Sequence, residues 1–406
     1  MKTFTAFEYL LINVANAFDK DKLLFEERIQ WATEHYTQLA VLAPKQDDSL
    51  KAIKATQVLY QAAATSLTDA VVYLDASCSG IQIMSAMLNC YKGAYNTGLI
   101  NPDLRADLYT TGQQVMNNLL EGRVVLSIPR KFLKDAIMTC GYGSTKQPKD
   151  LFEPLGVLNE FYQAMDVCAP SAFKLMKVLL HSWNATSDVH SWVLPDGFQA
   201  IIPVTEKLEK RIEIAELGNA SVTVGYEDYA IKEKGLSNVA NAIHSVDAFV
   251  LRNMLRRCNY DPYTLNQALE SIQAALELPA TEEPTTSAME IKLRLVAMHN
   301  FIDPTWFEFL TTHDPIEVPK DILRKLLDLG NRMLAHPPFE LTTIHDAFGS
   351  HATNCNRVRY WYKEILAELA ESTIINSILI QLGQAPLPGV DHCIADAIRE
   401  SNYSIG

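Results

Sequence analysis

One stretch constrains this chain more than any other: Val71-Val72-Tyr73-Leu74-Asp75-Ala76-Ser77-Cys78-Ser79-Gly80-Ile81-Gln82. Val71 to Leu74 are β-branched, aromatic and aliphatic, and read as a buried strand that ends on a carboxylate. Small residues follow from Ala76 to Gly80, and an apolar helical run continues through Leu88. A carboxylate at a strand end with room beside it can hold a divalent cation. Taken alone, such an Asp is more often a helix cap or a turn residue. Two further stretches change that balance.

The first is Arg130 to Ser144. Arg130 and Lys134 are one helical turn apart and share a face. Tyr142 follows two turns later between Gly141 and Gly143, which let the helix end loosen and the ring swing. A basic pair on a helix is usually a solvated face, but such a face gains nothing from the Gly-Tyr-Gly end. The second is Leu341 to Ser350, a short strand, then the polar pair His345-Asp346, then a tight turn. Two strand-end carboxylates can hold a pair of Mg²⁺ ions roughly 4 Å apart and clamp the oxygens of an in-line displacement. Arg and Lys on a facing helix can hold a triphosphate and neutralise charge on the leaving group. The chemistry implied is nucleotidyl transfer.

With 406 residues, 48% of them hydrophobic, the chain can bury a large core or two to three subdomains. No apolar run is long enough to cross a membrane, and residues 1–20 lack the order of a secretory signal. Seven cysteines at irregular spacings, with no CxxC pair, argue for reduced thiols in a cytosolic compartment and against a zinc site. The net charge of −13 argues against wrapping a polyanion, unless a local basic face or a partner supplies the positive surface.

The remaining pattern is mostly helical, so the expected class is α+β. Helices are expected over Phe4 to Phe18, Phe25 to Leu42, Leu50 to Ala64 and Leu104 to Leu120, the last beginning after Asn101-Pro102-Asp103, with a loop over Gly93 to Gly98. Residues 150–185 read as helical, and Trp192 to Phe198 as a strand and turn. Arg211 to Tyr226 reads as a hairpin turning near Gly218-Asn219. Asn238 to Arg257 is a helix carrying His244 and Asp247. Pro262 to Pro337 is largely helical, with an exposed break at Pro279 to Thr286. Helices over Asn356 to Leu382 lead to an aromatic tail short enough to tuck back into the body.

These motifs resemble those of the phage-type, single-subunit RNA polymerases. Asp75 to Gln82 with Ser85-Ala86-Met87-Leu88 looks like their first palm motif, DGSCSGIQ followed by SAML. Arg130-x3-Lys134 with Met138-Thr139 and Tyr142-Gly143-Ser144 is similar to their fingers helix. His244-Ser245-x-Asp247 with Leu251-Arg252 resembles their HSxDxxxLR helix, and Ile344 to Gly349 their HDSFG motif. Phe25-Glu26-Glu27-Arg28-Ile29 and the tail also fit, and the matches run in family order.

The resemblance implies a right-hand fold with palm and fingers and a small antiparallel palm sheet. Palm would occupy 1–92, 244–261 and 338–406, fingers 93–243 with the hairpin near 211–226, and a helical insert 262–337. Asp75, Asp346 and the Ala76 carbonyl would hold two Mg²⁺. Lys134 would contact the triphosphate and assist protonation of pyrophosphate, with Arg130 in support. Tyr142 and His244 would sense the ribose 2′-hydroxyl, and His345 would position primer and metal site. The related DNA polymerases carry a Glu five residues after the first Asp, whose bulk blocks a 2′-hydroxyl; here that position is Gly80.

Departures from the family pattern are Ala76 for its Gly, Asp135 for a basic residue, Leu11 for another, and the long insert. The hairpin stands where the family reads promoters, yet carries Glu213 and Glu216. The family's N-terminal half has no counterpart here. The expectation is therefore the larger subunit of a split phage polymerase, acting on a DNA template and rNTPs to make RNA in the host cytoplasm. A smaller subunit would supply thumb and N-terminal parts, and an accessory promoter or single-stranded-DNA factor would assist. The alternatives are a degenerate polymerase-like scaffold, against which the intact Asp75, Lys134, Tyr142 and Asp346 argue, and a DNA polymerase or primase of the same superfamily.

Overall fold

The computed structural model describes residues 1–121, 128–218, 220–231, 236–279, 286–388 and 392–406. Its strands are β1 (Val71–Asp75), β2 (Val189–Val193), β3 (Gln199–Pro203), β4 (Thr205–Ile214), β5 (Ala220–Ile231), β6 (Thr342–Ile344) and β7 (Ala347–His351). β1, β7 and β6 form an antiparallel sheet in that order, and the other strands form two separate hairpins. Everything else of regular structure is helical, which makes this a mostly helical α+β chain.

The three-stranded sheet joins residues far apart in sequence. Val72 lies opposite Ser350, Leu74 opposite Phe348 and Asp75 opposite Ala347. β1 is buried on one face only, which corrects the expectation of a buried strand. Val72 and Leu74 enter the core, whereas Val71, Tyr73 and Asp75 are exposed. The covered face packs on the helices Ala6–Ala17 and Cys355–Glu371, while Tyr73 and Asp75 look into an open cavity. Strict alternation is what a sheet with one wet face requires.

Behind β1 the chain turns sharply at Cys78, whose φ of 56° is left-handed. It enters the helix Ser79–Met87, all of which is buried. This helix packs on Cys355–Glu371, Leu236–Cys258, Pro170–His181 and Tyr91–Asn96. Gln82 holds it in place with a fully satisfied amide. Nε2 donates to the carbonyls of Thr97 and Ser404 at 2.9 Å each, and Oε1 accepts from the Tyr362 hydroxyl at 2.8 Å. A buried amide so bonded fixes register as well as adding stability.

The C-terminal residues do fold back. Residues 401–406 are buried, Ile405 bridges to Ala76, and the Gly406 N–H donates to the Asp75 carbonyl at 3.0 Å. Arg359, 1% exposed, ties both ends of the chain together, donating to the carbonyls of Lys2 and Asn402 and to the Tyr9 hydroxyl.

Several expected boundaries differ, among them that of the helix expected over Phe25 to Leu42, which stops at Glu34. Gly93 to Gly98 is not a loop but mostly the helix Tyr91–Asn96. Gly93 serves close packing there, since a Cβ would lie 2.2 Å from the Ser85 hydroxyl. The next helix is Leu108–Leu119, beginning later than Pro102 suggested. Asp107 sets the start, because its carboxylate accepts from the Tyr109 N–H at 3.1 Å and the Thr110 hydroxyl at 2.7 Å.

The β4–β5 ribbon is longer than expected and turns through Ala215–Leu217 and Gly218, whose φ is 65°. Asn219 of the expected turn lies outside the described residues, as do 280–285 of the expected break. The region 262–337 contains the helices Pro262–Glu277, Ser287–His299 and Lys320–Leu334. Asp303, 1% exposed, docks it by accepting from Asn253 Nδ2 at 2.8 Å. Among the described residues no helix is long and apolar enough to cross a membrane.

Candidate active site

The β6–β7 turn is the residue pair His345-Asp346, so the pair forms the tight turn instead of preceding it. His345 takes φ of 55° there, and the turn sets Asp346 beside the end of β1. The Ala76 N–H donates to the Asp346 carbonyl at 3.4 Å. The two carboxyl groups face each other closely enough for the Asp346 charge to act on Asp75. Although one side of Asp75 faces the open cavity, desolvation by the surrounding wall first, and then the Asp346 charge, push it up to about 6. Burial and the same charge also push Asp247, on Leu236–Cys258, up to about 6. A field this negative, held open to solvent on one side, is suited to a divalent cation.

Asp75 and Asp346 line a cavity of about 1320 Å³ together with Ala76, Gly80, Lys134, Tyr142, Arg130 and His345. Seven of the eight site residues singled out in the sequence thus share one cavity with Gly80. The eighth, His244, reaches it through Tyr142: the two rings stack with centroids 4.5 Å apart and planes 6° from parallel. Gly143, with φ of 90°, ends the helix Arg130–Cys140 and sets Tyr142 in place. Burial pushes the Tyr142 phenol up, with the Ser79 hydroxyl beside it acting in the opposite sense.

The basic pair behaves unequally. Arg130 donates to Asp107 Oδ2 through Nε at 2.9 Å and Nη2 at 2.5 Å, and lies over the Tyr109 ring. Lys134 is exposed to the cavity and forms no ion pair among the described residues. Asp107 and Tyr109, absent from the residues singled out in the sequence, sit in the wall between Arg130 and Cys78. Their signal is a capping Asp just before an apolar-periodic run, masked by Pro102 upstream.

A family model described as DNA-dependent RNA polymerase matches residues 3–151. The chain is also 24% identical over 299 residues to the DNA-directed RNA polymerase of Pseudomonas phage phiKMV. That alignment covers 59% of this chain and 36% of the phage protein, so the chain spans little more than a third of that relative's length. The matched segment holds Asp75, Gly80, Arg130, Lys134 and Tyr142. Residues 3–151 are thus similar to the DNA-dependent RNA polymerase family, and the chain is similar over 299 residues to one phage enzyme of that name.

Proposed function

We propose that this chain is the catalytic subunit of a DNA-directed RNA polymerase that adds rNTPs to an RNA 3′ end on a DNA template. The observation that carries the reading is the meeting of Asp75 and Asp346, from positions about 270 residues apart, beneath Lys134, Tyr142 and Gly80 in one cavity. In the reaction the 3′-hydroxyl oxygen bonds to the α-phosphorus. The bond from that phosphorus to the bridging α–β oxygen breaks, and pyrophosphate leaves with the electron pair.

Two carboxyls pressed together are a charge conflict that a cation resolves, so these residues fit the family's Mg²⁺. Asp75, Asp346 and the Ala76 carbonyl would hold it. When bound, such ions neutralise the charge that gathers on the attacking and leaving oxygens. Lys134 donates a proton to the departing pyrophosphate and neutralises it. Arg130 supports the same phosphates from its pairing with Asp107. Tyr142, backed by His244, lies against the sugar and senses its 2′-hydroxyl, while Gly80 leaves that hydroxyl space. His345, on the turn, positions the primer end. Gly80 also disfavours the DNA-polymerase reading.

In this proposal 1–92, 244–261 and 338–406 act as palm, 93–243 as fingers and 262–337 as an inserted helical unit. A smaller subunit supplies thumb and N-terminal parts, and with them positive surface that a chain of net charge −13 lacks. An accessory protein or already melted DNA assists promoter use, in the cytoplasm of a phage-infected host.

Primer extension on an RNA–DNA scaffold with Mg²⁺ and either rNTPs or dNTPs tests the reading. The chain is assayed alone and as purified from its natural operon. Ribonucleotide addition only from the operon preparation supports the two-subunit enzyme. Addition by the chain alone keeps the chemistry and removes the need for a partner. No addition in either, under conditions where the chain is folded, leaves the scaffold reading.

A further inference from the structure

The cavity contains one cation whose placement nothing above explains. Its basic residues are Lys22, Lys51, Arg105, Arg130 and Lys134. Lys22 pairs with Asp21 at 2.8 Å, and Arg130 with Asp107. Lys51 and Lys134 extend flexible chains toward solvent. Arg105 differs, because its Nη1 is buried and has no hydrogen-bond partner among the described residues. It lies in the irregular segment before the helix Leu108–Leu119, and burial depresses its pKa.

The carboxylates that act on Arg105 by charge are Asp21, Asp107 and Asp75, in that order. Two of them are already engaged elsewhere: Asp21 is bonded to Lys22, and Asp107 to Arg130 and Thr110, while Asp75 faces Asp346. A buried guanidinium N–H without an acceptor costs free energy unless a ligand completes it. The position is also close to the reacting centre. A Cβ on Gly406 would come within 3.3 Å of Nη1, and the Gly406 N–H is bonded to the Asp75 carbonyl.

We propose that Arg105 is a substrate-binding residue whose guanidinium takes phosphate oxygens of the bound nucleoside triphosphate. The planar fork of an arginine matches a phosphate in two places at once, and a polyphosphate brings oxygens where the neighbouring carboxylates are spent. Arg105 would join Lys134 in receiving the polyphosphate, with Arg130 in support from its pairing with Asp107. The inference rests on the nucleotidyl-transfer reading for the identity of the ligand, while its anion chemistry stands apart from activity.

The test uses the full chain, with whatever subunit purifies with it. Metal-free tripolyphosphate is titrated into wild type, Arg105→Gln and Arg105→Lys by calorimetry, with melting curves showing that each is folded. Binding by wild type that weakens about tenfold or more in Arg105→Gln, and less in Arg105→Lys, is expected. In the extension assay Arg105→Gln should raise KM for all four rNTPs together by about tenfold, with kcat changed less. Absence of tripolyphosphate binding by wild type, or equal affinity in all three proteins, overturns the proposal. So does a variant that loses only primer–template affinity, since Arg105 would then serve the nucleic-acid backbone. Arg105-dependent tripolyphosphate binding by a chain that extends no primer sinks the polymerase reading and leaves this one standing.

Discussion

Tyr142 closes directly over Gly80: a Cβ at position 80 would lie 2.8 Å from the phenol oxygen and 3.0 Å from the carbon bearing it. The ring is held from its other side by the stack on His244. Gly80 therefore sets where the tyrosine rests, beside the space that the proposed function gives to a sugar hydroxyl. Gly80→Ala should push the ring tip aside. Stability should change by less than about 1 kcal/mol, because the tip of a side chain can move. Efficiency with rNTPs should fall about tenfold to a hundredfold through misplacement. Steady-state extension kinetics beside a urea titration separate the two, and an unchanged kcat/KM removes Gly80 from this role.

Tyr142→Phe keeps the ring and the stack but loses the hydroxyl. Synthesis should continue, while preference for rNTPs over dNTPs falls about tenfold or more, as expected when a site loses the group that reads a substrate hydroxyl. Competition between ATP and dATP on one scaffold measures this, and unaltered preference refutes it.

Asp75→Asn and Asp346→Asn should each lower extension by at least about a thousandfold, since each removes half of the carboxylate pair. Neither should lower the melting temperature. Asp346→Asn should raise it at neutral pH, because the charge that disfavours ionised Asp75 and Asp247 is gone. Melting curves and extension assays on the same preparations decide the matter; an Asp346→Asn protein that melts earlier means the pair is not under repulsion.

Much of this site was legible in the sequence because it rests on local chemistry. Small residues after a strand-end Asp, Arg and Lys one turn apart, and a Tyr between glycines each carry their reason within a dozen positions. What was not legible depends on partners far away or on a competing cap. Arg130 is held by Asp107, and the start of the helix Leu108–Leu119 was obscured by Pro102, a residue type that often opens helices. Gly93 read as a loop glycine, since nothing local announces that Ser85 packs against it. Arg105 carries no motif at all, and its burial appears only once the tail has folded over it. Likewise the alternation of β1 was masked by Val71 and Tyr73, apolar residues on its exposed face.

The helix Leu236–Cys258, which carries His244 and Asp247, is clamped by an ion pair of unequal burial. Arg257 is 0% exposed and donates to both oxygens of Glu368, whose side chain is 19% exposed. Glu368→Gln leaves a buried arginine without its counter-charge and should cost about 3–5 kcal/mol. Arg257→Met fills similar volume and leaves a carboxylate that can turn to Arg332, already 3.8 Å away, so it should cost less than about 2 kcal/mol. Urea midpoints of the two variants test the order, and the reverse order would show that packing around Arg257 dominates.

His299, in the region 262–337, should make the fold sensitive to acid. It is 0% exposed, neither ring nitrogen has a hydrogen-bond partner among the described residues, and burial lowers its pKa to about 4 from the usual 6.5. Between those values the unfolded chain binds the proton and the folded chain does not, so stability falls as the pH drops through this window. From pH 7 to pH 5 the loss should be about 2 kcal/mol. Asp75 and Asp247 act in the opposite sense: their raised values let the folded state take protons first, so their contribution grows as the pH falls. The net curve of the wild type therefore mixes both signs, and only a difference isolates the histidine. His299→Leu should remove the acid-side loss and leave the carboxylate contribution, so the gap between the two proteins should widen toward pH 5. Urea titrations of both at pH 7, 6 and 5 provide that difference, and parallel curves would mean that His299 is protonated as readily folded as unfolded.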